Sequence, residues 1–224
     1  MKSIFFPKKK RQKVTKKELS YQSFQKLKVT NDLNVYIIFS DTEEEIYVET
    51  NEDLHAHVKC NYKNETLSLK KSNSRSLKKN EAINIYIKTK PFYDFYANDD
   101  CIITLQSLLK GDEVFVNLDD DSKFVATVEV PNMELTADDD SEVEINGIID
   151  RLKLRLKEDS LFDCFDLSVN HLDAHLSSDS EAKVTVNTSL KMKLNDDSEL
   201  KYKGNPTIEK KEVWGDSSVV NIPS

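Results

Sequence analysis

The chain has 224 residues, of which 38 % are hydrophobic and 32 % charged, with a formal net charge of −8. That length allows one domain or two small ones. No apolar run approaches the ~18 residues of a membrane span, and the acidic balance argues against nucleic acid as the main partner.

Residues 1–19 are strongly basic, with Lys8, Lys9, Lys10, Arg11, Lys13, Lys16 and Lys17 close together. Such a charge run reads as a disordered arm. The stretch Pro7 to Val14 also has the composition of a nuclear-import signal, the less favoured reading. Ile4-Phe5-Phe6 is too short for the apolar stretch of a secretion signal.

Residues 20–98 are expected to be an irregular β-rich half. Leu33, Val35 and Ile37 alternate with polar or exposed positions, as do Ile46 and Val48, Leu67 and Leu69, and Ile83, Ile85 and Ile87. A period of two marks half-buried strands. The polar, basic stretch from Lys70 to Asn80 reads as an exposed loop. The cluster Phe92, Tyr93, Phe95 and Tyr96 follows Pro91. It fits either a core plug at the junction with the next segment or a sugar-stacking platform, and the plug is favoured because aromatics bury large areas.

Residues 99–224 repeat. Asp-Ser pairs begin at Asp121, Asp140, Asp159, Asp179, Asp197 and Asp216, at intervals of 19, 19, 20, 18 and 19 residues. A degenerate copy, Asp100-Cys101, lies 21 residues before Asp121. Around each pair the alternate positions are apolar: Val114, Val116 and Leu118 before the first, Phe124 and Ala126 after it, and their equivalents in later copies. A period near 20 with strand alternation is the mark of a solenoid. The expected fold is all-β: a right-handed parallel β-helix of about 19 residues per repeat, preferred over two stacked antiparallel sheets. Asp tolerates the left-handed backbone of tight corners, which suits a chain with only 4 glycines. In the last copy Glu209 and Lys211 replace apolar positions, so an atypical closing coil is expected there.

Several of these segments in order resemble a bacterial family. They are Phe24-x-x-Leu27-x-Val29, Val35-x-Ile37, Ile46-x-Val48, Leu67-x-Leu69 and Ile83-x-Ile85-x-Ile87 followed by Pro91. The repeated corners and Tyr202-Lys203-Gly204-Asn205-Pro206 complete the set. Over about residues 20–222 the chain resembles the putative auto-transporter adhesin, head GIN domain family, a domain of unknown function found mostly in Bacteroidetes. The family's corners are typically Ser-Gly-Ser-Gly, whereas these are mostly Asp-Asp-Ser. The resemblance implies a right-handed β-helix, no catalytic residues and a place at the cell envelope. It also implies an export or lipoprotein signal, and no such signal is read in this chain.

Four groups of side chains are candidates for function. Asp121, Asp140, Asp159, Asp179, Asp197 and Asp216 should stack along one edge about 4.8 Å apart. They would form either solvated corners or, as hard oxygen ligands, a Ca²⁺ edge. Arg151, Arg155, Lys157 and Lys193 form a strip that could engage an anionic polymer, set against a ladder of alternating charge through Glu134, Lys153, Asp173 and Lys191. His171, Asp173 and His175 share one strand face, with metal binding as the sharper reading and a solvated face as the plainer one. The three cysteines, Cys60, Cys101 and Cys164, lack metal-ligand spacing, and Cys164 falls on an inward column.

No resident cofactor is expected beyond the possible Ca²⁺, and no catalytic constellation is present, because the carboxylates follow the repeat instead of breaking it. The expected function is a non-catalytic adhesin, ligand-binding or scaffold module of the cell envelope. The alternatives are a polysaccharide-active or polysaccharide-binding β-helix and a structural intracellular module. Candidate partners are a polysaccharide, a surface protein or a second copy of the chain, since open strand edges can pair.

Overall fold

The computed structural model describes residues 13–72 and 82–223. Most of the expected basic arm and most of the Lys70–Asn80 loop lie outside them. Almost everything described is strand, and all strands join one sheet system around one continuous apolar core. The architecture is a β-solenoid.

Each coil carries two runs of strand. In β12 (Lys123–Ala137) the buried side chains are Phe124, Ala126, Val128 and Val130, then Met133, Leu135 and Ala137. The inward parity shifts across exposed Pro131, where the strand bends. Parallel pairing continues through β13 (Glu142–Leu156), β14 (Leu161–Ser177) and β15 (Glu181–Asn195), with register shifts between Val143 and Gly147 and, in the next pair, between Cys164 and Ser168 and between Val169 and His171. Like side chains therefore stack in columns. One runs Ile103, Phe124, Val143, Phe162, Ala182 and Leu200. Large and small residues share that column, so Phe124 and Phe162 are separated by Val143 and the narrow interior fills closely. Each wholly buried Phe contributes roughly 1.5–3 kcal/mol of transfer free energy.

The corners are pairs of residues with positive φ: Asp99-Asp100, Asp120-Asp121, Asp139-Asp140, Glu158-Asp159, Ser178-Asp179 and Asp196-Asp197, with φ from 46° to 67°. In the first five pairs the second residue donates its N–H to the corner carbonyl of the next coil. Asp121 bonds Asp139 at 2.9 Å, Asp140 bonds Glu158 at 2.9 Å, and Asp159 bonds Ser178 at 2.9 Å. The next residue turns inward, and Ser122, Ser141, Ser160, Ser180 and Ser198 are wholly buried. Cys101 takes that place in the degenerate copy and donates its backbone N–H to Ser122 Oγ at 3.4 Å.

The stacking does not begin at the visible repeat. β2 (Lys26–Thr30) lies between β6 (Thr66–Lys71) and β8 (Asp94–Asn98), parallel to both. β3 (Asn34–Phe39) lies likewise between β7 (Asn84–Thr89) and β9 (Ile102–Leu105). β8 and β9 then continue onto β11 (Glu113–Asp119) and β12. The boundary expected near residue 98 is thus no break in the stack. The chain lays down the β2–β3 coil first and later slips the β6–β7 coil beneath it. Asn31 and Asp32 form its corner, with φ of 71° and 48°, but Leu33 follows where the later copies have Ser.

Three antiparallel strands close this end. β4 (Glu45–Asn51) covers β7, β1 (Val14–Leu19) covers β4, and β5 (Val58–Lys63) covers β6. Residues 14–19, expected as part of a disordered arm, are therefore strand, because the edge of β4 offers them a row of backbone partners. The other end is closed by β17 (Thr207–Val213) and β18 (Ser218–Ile222), where Lys211 and Asn221 stand exposed below the Met192 and Tyr202 columns.

Two consequences can be measured. Ser141 and Ser160 bury hydroxyls that have no hydrogen-bond partner, whereas Ser198 Oγ donates to Leu176 O at 3.2 Å and Asn195 O at 3.0 Å. In chemical denaturation, Ser141→Ala and Ser160→Ala are expected to match or exceed the parent, while Ser198→Ala loses about 1 kcal/mol. Gly147 has φ of 114°, and a Cβ there would sit 2.0 Å from Val128 O. Gly147→Ala is expected to cost about 2–4 kcal/mol in the same measurement.

Candidate functional site

One continuous charged surface is the outward face of residues 132–137 and their equivalents. Pairing register sets its columns. One runs Asn132, Arg151, His171, Ser189 and Thr207; the next runs Glu134, Lys153, Asp173, Lys191 and Lys210; the third runs Thr136, Arg155, His175, Lys193 and Glu212. The second column alternates in sign from Glu134 to Lys191, as the repeat implies. Lys153 meets Glu134 at 3.0 Å and Arg155 meets the same carboxylate at 2.6 Å. Bonding first from Lys153, then from Arg155, holds the Glu134 carboxyl below its usual range.

Along the bend beside this face runs a shallow groove of about 390 Å³, lined among others by Arg151, His171, Asp173, Ser189, Lys191 and Glu209. The His171 ring lies 2.9 Å from Ser189 Oγ through Nδ1. Ser189 and then Lys191, at 3.3 Å, hold the Glu209 carboxyl low. Cations and carboxylates alternate here and neutralise one another. Such a surface can hold a ligand by many weak polar contacts, but it concentrates no single charge.

The candidate residues fall out as follows. Of the basic strip, Arg155 is paired with Glu134, Lys157 with Asp138 at 3.1 Å, and Arg151 loosely with Asp150 at 3.7 Å. Lys193 lies over the Trp214 ring at 5.6 Å. Of the histidine group, His171 turns to Ser189 and His175 to Asp173 at 3.4 Å. Among the described residues no three His, Cys, Asp or Glu side chains are grouped to hold a metal ion. Phe92 and Phe95 are wholly buried, with ring centroids 4.7 Å apart, so they are core. Tyr96 faces outward under Lys28, 4.5 Å from its ring centroid. All three cysteines are free, and burial pushes the Cys101 and Cys164 thiols up to about 12.

The acidic corners stack as the period requires, with Asp121, Asp140, Asp159, Asp179, Asp197 and Asp216 all exposed. The first five have positive φ, whereas in the last corner Gly215 is the left-handed residue, with φ of 62°. The strain of stacking shows at Asp139. A close contact with the Asp120 carboxyl, then desolvation and the charges of Asp120, Glu158 and Asp140, push its carboxyl above the usual value. A raised folded value means that the stabilising contribution is present below the unfolded value of ~4 and is lost as pH rises through the folded one. Asp139→Asn keeps a residue suited to positive φ and removes the repulsion. Its melting temperature is expected to exceed the parent's at neutral pH, with the gap closing below about pH 4.

One feature escaped the sequence pattern. Tyr47, Tyr86 and Tyr36, from β4, β7 and β3, stack on the outer face with centroids 4.8 and 5.1 Å apart, and Lys16 covers Tyr47 at 3.4 Å. Their sequence positions carry no common period; only the strand order 4-7-3 joins them.

Solved structures share this arrangement. A crystal structure of a putative adhesin from Bacteroides fragilis superposes with a TM-score of 0.79 at 19 % identity, covering 94 % of this chain and 97 % of that one. A putative adhesin from Parabacteroides merdae gives 0.73 at 17 % identity, with 94 % and 96 % covered. A putative lipid binding protein from Parabacteroides distasonis gives 0.66 at 14 % identity, with 93 % and 96 % covered. At such identities the likeness carries the fold alone. No curated protein matches the chain. A family model described as "Putative auto-transporter adhesin, head GIN domain" matches residues 23–206. That span takes in the coils from β2 to β16 (Glu199–Lys203) and most of the acidic corners, and the chain belongs to this adhesin head GIN domain family.

Proposed function

We propose that the protein is a non-catalytic, adhesin-like binding module of the bacterial cell envelope, presenting the flat outer faces of a rigid solenoid to a ligand. The observation that carries this reading is register. From Glu134 across to Lys191, the outer charges follow the repeat and pair with neighbouring coils. A reaction centre needs groups that converge on one point out of that register. A ladder instead makes a stiff, extended surface, which favours binding because little ordering cost remains to be met on contact.

The family description supports the adhesin-like reading. The related solved structures are described as a putative adhesin or a putative lipid binding protein. Both descriptions concern non-covalent binding, and binding is the function taken over here.

Localisation tests the reading in a bacterium carrying the intact gene. The protein is expected in the envelope fraction and to be cleaved by protease added to intact cells. Recovery only in the cytosol would count against an envelope module. Release of new reducing ends from added polysaccharides by the purified protein would replace the reading with an enzymatic one.

A further inference from the structure

The capped end of the solenoid carries a charge pattern unlike the rest. β5 and β6 pair antiparallel with Lys59 directly opposite Lys70. Like charges placed opposite each other across a strand pair are unfavourable. Lys28 lies on the next strand, opposite Ser68 of β6. All three lysines are exposed and line one open groove of about 530 Å³. Among the described residues, none of the three is in ion-pair contact with a carboxylate, while Lys26 and Lys71, on the same two strands, are held by Asp94 at 2.8 Å and Asp32 at 2.9 Å. The groove's own carboxylate, Asp99, accepts from the Asn31 amide at 2.6 Å. Three cations thus share the groove with a single carboxylate, a local positive excess on a chain of net charge −8.

The rest of the lining indicates what kind of anion fits. Thr30, Asn61 and Ser68 supply two hydroxyls and an amide, which suit the hydroxyl groups of a sugar, while the Asn98 amide is held by Asp119 and Asp120. The Tyr96 ring, half-exposed, adds an amphipathic wall. A lipid surface would call for apolar side chains at the rim, but the aliphatic lining residue, Leu69, is wholly buried.

We propose that this groove binds an acidic saccharide, with a carboxylate or sulfate seated among Lys28, Lys59 and Lys70 and the sugar hydroxyls on Thr30, Asn61 and Ser68. The proposal rests on the binding-module reading above and gives it a ligand class and a place. The site lies on the capped end, not on the charge ladder of the later coils.

The test is calorimetric titration of the full chain at about 0.15 M salt, where surface charges are screened beyond roughly 8 Å. The probes are a heparin-derived tetrasaccharide, an oligogalacturonate, neutral maltotetraose, inorganic sulfate and phosphatidylglycerol vesicles. At least one acidic oligosaccharide is expected to bind more tightly than maltotetraose, sulfate or vesicles. Lys59→Glu with Lys70→Glu is expected to weaken it by about tenfold or more, as is the milder Lys59→Gln with Lys70→Gln to a smaller extent. Lys110→Glu, which lies outside both this groove and the ladder face and is paired with Glu129 in the parent, should leave binding unchanged. The Lys59→Gln with Lys70→Gln variant should melt no lower than the parent, since it removes a repulsion without putting a new one in its place. Equal binding of sulfate alone, or preference for vesicles, would overturn the saccharide assignment. Acidic saccharide binding untouched by the lysine changes would overturn the site and leave the module reading standing. Recovery of the protein only from the cytosol would overturn that reading itself, whatever the titrations give.

Discussion

The left-handed corner is the constraint on which this structure depends. A coil of two short strands must reverse within a few residues, and here two successive L-residues take positive φ to do it. Each such residue costs roughly 1–2 kcal/mol unless its side chain helps. Glycine would remove the steric cost, yet the chain has only 4. Asp and Asn are the next best tolerated there, and the backbone supplies the remaining compensation. The N–H of the second corner residue reaches the corner carbonyl of the neighbouring coil at 2.9 Å in coil after coil. A single strained corner would be a defect; a stack of them becomes a hydrogen-bonded ladder.

That solution propagates inward and outward. Inward, the residue after the corner points into the narrow end of the core, where a small side chain fits, so serines and one cysteine form a buried column. Some of those hydroxyls find carbonyls and some do not. Outward, choosing Asp to satisfy the backbone stacks carboxylates at the spacing of adjacent strands, about 4.8 Å. The raised Asp139 carboxyl is the electrostatic residue of that choice. The same sequence feature therefore explains both the stability of the turn and its sensitivity to charge. The strand faces manage charge differently, because residues of opposite sign alternate across coils and hold one another, as Lys123 does with Glu142 at 2.9 Å and Glu144 at 2.6 Å.

Legibility from sequence follows the same division. Wherever successive coils come from successive stretches of chain, period and alternation specify the neighbours. Phe124, Val143 and Phe162 could be stacked from spacing alone, as could the signs of Glu134 and Lys153. The charge strip of Arg151, Arg155, Lys157 and Lys193 was visible as a set of cations, but its partners Asp138, Asp150 and Trp214 depend on side-chain reach, which spacing does not encode. At the capped end the chain stacks out of order. Asn31-Asp32 is a true corner hidden by Leu33 in place of Ser, and β6 slips beneath β2 from 40 residues downstream, as the Lys26–Thr66 pairing records. No period links Tyr36, Tyr47 and Tyr86, nor Lys59, Lys70 and Lys28, so their meeting was not readable.

The two ends of the solenoid show why the capped one is the better place for a ligand. Within the regular coils each outward residue has an in-register neighbour above and below, and charges placed there are drawn into neutral pairs. A substitution on such a face disturbs a ladder. The antiparallel cap is exempt from that bookkeeping: among the described residues, β5 pairs with β6 alone. The pairing of Lys59 with Lys70 contributes nothing to the fold that a neutral pair would not supply, and it works against it. Lysines on an edge strand deter pairing with other chains, which accounts for Lys59. It does not account for Lys70 and Lys28, which lie on interior strands of the sheet. Cations held there outnumber the groove's one carboxylate, Asp99, and with Thr30, Asn61 and Ser68 beside them leave a positive field whose natural complement is an anion carrying hydroxyl groups.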